Sequence, residues 1–145
     1  LLSTAQAAGS VITGLIMTLR RDARRQGALL LGSVAIYGVA TALFGVATSF
    51  ALSYVLFAIT GAADTVSTVI RNVIRQMATP DDMRGRMVGV NQIFFQGGPQ
   101  LGELEAGLVG AALGVPFAIV SGGIATVLIT VWMAWRYPDL RKYEP

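Results

Sequence analysis

Residues 26–63 read QGALLLGSVAIYGVATALFGVATSFALSYVLFAITGAA and carry no charged side chain. Residues 106–135, AGLVGAALGVPFAIVSGGIATVLITVWMAW, carry none either. About 20 apolar residues in a helix cross a bilayer, so both runs are too long for ordinary core helices. Each is broken once by a short uncharged turn, at Thr48, Ser49 and Phe50 in the first and at Gly114, Val115 and Pro116 in the second. The rest of the chain is read outward from these two runs.

The charges between and beyond them fall into three basic clusters. Arg20, Arg21, Arg24 and Arg25 form one, Arg71, Arg75, Arg84 and Arg86 a second, and Arg136, Arg141 and Lys142 a third. Together these are all 11 basic residues. Only 13% of residues are charged and mean hydropathy is +0.63, whereas a soluble domain carries roughly 25% charged residues. The expected fold is therefore all-α, a polytopic membrane helix bundle. Five spans are expected, at about 1–19, 28–47, 51–77, 87–113 and 117–135. The three basic segments then share one side and both uncharged turns share the other. Basic loops face the cytoplasm, which puts the C-terminus there too. Trp132, Trp135 and Tyr137 suit the interface at that end. A barrel is excluded because the segments are apolar all round rather than alternating.

The same features remove other functions. The net charge of +3 does not point to nucleic acid, since the arginines sit beside spans, where they meet anionic headgroups. Cysteine and histidine are absent, so no Cys or His metal site, thiol nucleophile or histidine base is available. No cofactor and no enzymatic activity are expected. The chain starts at Leu1 in apolar sequence, without the charged start of a signal peptide, and is expected to be cut off upstream.

Polar residues inside the spans carry the functional signal, because they are costly in hydrocarbon unless they face a bundle interior or a watery cavity. Asp64 lies near the middle of the third span, with Thr68, Arg71 and Arg75 following at helical spacing. Two readings fit: a lining face that carries a proton or holds a charged solute, or an Asp64–Arg71 relay that fixes packing. Arg75 reads as a topology anchor. In the fourth span Gln92, Gln96, Gln100 and Glu103 recur at i, i+4, i+8 and i+11, one stripe of a helix. Such a stripe suggests a wet pathway. Glu103 is expected on it and Glu105 to pair elsewhere, against the alternative of two carboxyls near the outer interface. Gly98/Gly102 and Gly110/Gly114 have the spacing that lets helices approach. Gly97, Gly98 and Pro99 also suit a hinge, since proline removes a backbone hydrogen bond. On the first span Ser3, Gln6, Ser10 and Thr13 share a face, and Gln6 and Ser10 are expected on the same pathway. Ser33, Tyr37 and Thr41 of the second span read as glue between helices, and the fifth span as lipid-facing.

The segment GAADTVSTVIRNVIRQMATPDDMRGRMVGVNQIFFQGGPQLGELEAG, residues 61–107, resembles the tenth and eleventh membrane helices of major facilitator superfamily transporters. The similar branch is that of enterobactin-exporter-like permeases. The matching pieces are GAAD with Asp64, Arg71, the loop TPDDMRGR, Asn91, and LGELEAG with Glu103 and Glu105. The first basic loop, GLIMTLRRDARRQG, departs from the G-x-x-x-D-R-x-G-R-R pattern at the junction of helices eight and nine.

The resemblance implies twelve helices in two six-helix halves, a central cavity and alternating access. This chain would supply helices eight to twelve, and its partners would be the lipid bilayer, a small-molecule substrate and the N-terminal half of the same transporter. It further implies that the first, third and fourth spans line the cavity and the second and fifth lie outside. In the TPDDMRGR loop, Thr79 can cap a new helix and Asp81 and Asp82 favour its positive end. The resemblance makes Asp81, Asp82, Arg84, Gly85 and Arg86 a cytoplasmic gate; plain anchoring explains the arginines equally well. The implied function is proton-coupled efflux of a small amphipathic solute, siderophore or drug-like, across a bacterial cytoplasmic membrane. Asp64 and Glu103 are the expected proton carriers. A passive channel subunit or structural membrane protein is the alternative.

Overall fold

The computed structural model describes residues 2–19 and 26–142. The first basic cluster, and the side chains of Pro99 and Arg141, lie outside the described residues. Helices α1 (Leu2–Leu19), α2 (Gln26–Val46), α3 (Phe50–Ala78), α4 (Arg84–Leu113) and α5 (Val115–Arg136) make up nearly all of the structure. A single 3-10 turn, Asp81–Met83, leads into α4, and a short α6 (Asp139–Lys142) follows α5. Among the described residues there is no strand. Helix satisfies every backbone group within its own segment, which an apolar surrounding demands.

Among the described residues, three helices are long and apolar enough to cross a membrane: α2, α3 and α5. Helix α4 has the length but not the apolarity, because Asn91, Gln92, Gln96, Gln100, Glu103 and Glu105 interrupt its apolar residues. Most large apolar side chains lie exposed on the helix surfaces, among them Leu29, Ile36, Leu128, Ile129 and Trp135. Such a surface is stable only against lipid or further protein. The chain is thus an integral membrane protein.

The principal contacts link the helices in the order α1–α3–α2–α5–α4. Close approach is bought with glycine at both main seams. A Cβ on Gly9 would fall on the Ala58 carbonyl, and one on Gly61 on the Gln6 carbonyl, so α1 and α3 touch backbone to backbone. At the α2–α5 seam a Cβ on Gly38 would lie 2.9 Å from the Gly123 carbonyl oxygen, and one on Gly123 would lie 2.6 Å from the Gly38 carbonyl oxygen. Between α2 and α3, the rings of Phe44 and Phe57 pack at a 35° tilt with centroids 5.4 Å apart.

Several expectations change here. Gly98 and Gly102 meet nothing within 4 Å, whereas Gly110 lies in ordinary contact with Val115 and Ala118; the tightest packing is at Gly9, Gly61, Gly38, Gly45 and Gly123. Helix α5 packs along α2 and receives the end of α4, while Leu128, Ile129, Val131 and Trp132 stay exposed on its outer face. The hydroxyls of Ser33 and Thr41 donate to Leu30 O and Tyr37 O of their own helix, not across to a neighbour. A short hydroxyl side chain reaches its own preceding turn more readily than another backbone. Thr79 does not start the next helix. Its hydroxyl and its N–H both donate to Arg75 O, at 2.7 and 3.1 Å, so it closes the end of α3. Helix α4 runs unbroken through Gly97, Gly98 and Pro99. Gly114, with φ +95°, makes the reversal into α5, a left-handed conformation that glycine adopts without steric cost.

Candidate functional site

Helices α3 and α4 follow each other in sequence but are not packed together. They diverge from the 79–84 connection and flank an open-sided cavity of about 550 Å³. From α3 it is lined by Thr68, Asn72, Arg75, Gln76 and Thr79. From α4 it is lined by Arg84, Met87, Val88, Asn91, Gln92, Phe95 and Gln96. The α3 set falls at i, i+4, i+7, i+8 and i+11, and the α4 set at i, i+3, i+4, i+7, i+8, i+11 and i+12. Both are single helix faces, because residues three and four apart stack on one side. Two amphipathic faces thus flank one space, amides and guanidinium groups alternating with the apolar side chains of Met87, Val88 and Phe95.

The polar groups of the cavity are held by local bonds. Arg75 Nη2 donates to Asn72 Oδ1, one turn back. Arg71 folds back along its own helix: its Nε donates to Ser67 O and its Nη2 to Thr68 Oγ1, each at 3.3 Å. No Asp64–Arg71 ion pair forms. Arg84 pairs with Asp81 at 2.9 Å, the one ion pair among the described residues. Both side chains are open to water, at 60% and 86% exposure, so the pair contributes at most about 1 kcal/mol. It lies within one turn of chain and ties the 79–86 segment to no other element.

The expected site residues divide between three places. Gln92 and Gln96 line the cavity, and Arg84 does so from the first position of α4. Asp64 stands one helical turn beyond Thr68 on the same stripe of α3, exposed. Gln100 and Glu103 continue the α4 stripe past Gln96, by about 6 and 10 Å along the axis, and are also exposed. None of these three lines the cavity, and neither Asp64 nor Glu103 has an ion-pair partner among the described residues. Glu105 is likewise exposed and unpaired there. Gln6 and Ser10 belong to the α1–α3 contact: Ser10 Oγ donates to Gly61 O at 3.1 Å, and the Gln6 side chain and carbonyl sit over Gly61. Asp82, Gly85 and Arg86 are exposed and do not line the cavity.

Sequence reading overlooked Asn72 and Gln76 and took Arg75 for an anchor. The signal was present. Thr68, Asn72 and Gln76 repeat the i, i+4, i+8 spacing that marked Gln92, Gln96 and Gln100. The resulting space offers amide donors and acceptors, two guanidinium groups and an apolar wall at Phe95 and Val88. Such a lining can bind a polar or charged solute; it contains no nucleophile–base pair. No grouping of three or more acidic, Cys or His residues suited to a metal occurs among the described residues.

No curated protein and no solved structure matches the chain closely enough to be called a relative. A family model described as Major Facilitator Superfamily matches residues 1–145, the whole length. An all-helical membrane chain with a polar cavity between two of its helices belongs, by that match, to the Major Facilitator Superfamily of membrane transporters.

Proposed function

We propose that this chain is the C-terminal part of a secondary active transporter that exports a small amphipathic solute in exchange for protons. The observation that carries the reading is the pair of facing polar stripes on α3 and α4. They flank an open-sided cavity of about 550 Å³, and both stripes run on to a carboxylate, Asp64 on one and Glu103 on the other. Polar faces at membrane depth are stable where they meet water or a solute. A carboxylate that takes up a proton on one side and releases it on the other couples the gradient to export.

Within the superfamily we assign the chain to the enterobactin-exporter-like branch, as helices eight to twelve, with a siderophore or drug-like cargo. Its N-terminal partner half completes the cavity, and the gate loop 81–86 closes it. The membrane is the bacterial cytoplasmic membrane, with the C-terminus inside. The arginines beside α3, α4 and α5 support that orientation. No cofactor beyond the proton gradient is required.

Glu103→Gln in the full-length protein tests the coupling. Proton-driven efflux from energised vesicles is expected to fall to background, with insertion and expression unchanged. Unchanged efflux at normal expression removes Glu103 from the mechanism.

A further inference from the structure

The cavity between α3 and α4 is one-sided in charge. Its lining includes two guanidinium groups, Arg75 and Arg84, and no carboxylate. Arg84 is already matched by Asp81. Arg75 forms no ion pair among the described residues and is half-buried. Its bond to Asn72 Oδ1 fixes the guanidinium by one edge and leaves its other donors for a second partner. A partly desolvated cation is stabilised by a charge-matched acceptor, and the planar fork of arginine suits a carboxylate, sulfonate or phosphate. The carboxamides of Gln76, Gln92 and Gln96 surround the same space, and Phe95 gives it an apolar wall.

We infer that this cavity receives an amphipathic organic anion, with its acidic group against Arg75 and its apolar part against Phe95. The inference rests on the transporter reading and narrows its cargo. The volume of about 550 Å³ lies in the range of sites for drug-sized molecules. Amides beside the cation bind the remaining oxygens of the anion without adding charge, which gives orientation. An anionic lipid headgroup presents the same chemistry, so the two sources are separated by experiment.

The full-length protein, reconstituted in phosphatidylcholine liposomes, is titrated with naphthalene-2-sulfonate and with its neutral isostere naphthalene-2-sulfonamide. The sulfonate cannot be neutralised by a proton, so the comparison isolates charge. Wild-type protein is expected to bind the sulfonate at least about tenfold more tightly, the size of one charge-assisted hydrogen bond. Arg75→Gln is expected to abolish that preference and Arg75→Lys to keep part of it; the lysine variant decides if the glutamine variant fails to fold. Equal binding of the two probes by wild type overturns the assignment, as does a preference that survives Arg75→Gln. Arg75-dependent stabilisation by phosphatidylglycerol, with no sulfonate binding, identifies a lipid and overturns the solute. Proton-driven efflux in the same liposomes reads transport by itself. Efflux without sulfonate preference removes the anion and keeps the transporter, and preference without efflux does the reverse.

Discussion

Gly61 lies bare against the Gln6 carbonyl of α1, and Ser10 Oγ donates to the carbonyl of that same glycine. A side chain at position 61 would force the two helices apart. Gly61→Val is expected to destabilise the folded protein by about 1–3 kcal/mol, the usual cost of overpacking, read as a lower midpoint of unfolding in detergent titration. Gly32→Ala, on α2 where a Cβ meets nothing within 4 Å, is expected not to lower the midpoint, and to raise it slightly through helix propensity. An unshifted midpoint for Gly61→Val would mean that α1 and α3 do not touch there. This contact also shows what residue types alone conceal. Gln6 and Ser10 share a polar helix face, which suits a wet pathway and a close helix contact alike, because small polar side chains serve both. Arg75 reads as a topology anchor from its place near a span end, and its position on the cavity wall follows only from where α4 lies.

At the scale of elements, charge and periodicity made the helices legible. Apolar runs without charge specify α2 and α5, and the glutamine stripe specifies which face of α4 is polar. Partners were less legible. Spacing motifs put close packing at Gly98 and Gly102, whereas the close seams run through Gly9–Gly61 and Gly38–Gly123. A glycine's spacing is visible in the chain, but which helix faces it depends on contacts across the fold. The two uncharged turns, at residues 47–49 and at Gly114, fix the direction of travel. If basic segments mark the inner side, reporter tags inserted after Ser49 or Val115 in the full-length protein are expected to be reached only from outside the cell. Access only from inside would reverse the topology.

At the scale of the molecule, the decisive feature is that α3 and α4 are neighbours in sequence without being packed together. The contacts run α1–α3–α2–α5–α4, so α4 is attached mainly through α5 and its loop. Its remaining surface is open, and the cavity lies along part of it. Nothing in the local sequence announces that separation; the polar stripes announce only that each helix has a face unfit for lipid. The central claim is that these stripes meet water inside the membrane. Single-cysteine variants Asn72→Cys, Gln92→Cys and Gln96→Cys test it in a background without other cysteines, with Val131→Cys on the exposed face of α5 as reference. A membrane-impermeant thiol reagent added from the arginine-rich side is expected to label the three cavity positions rapidly, to leave Val131→Cys unlabelled, and to be slowed by bound solute. Cavity positions as unreactive as Val131→Cys would contradict the account.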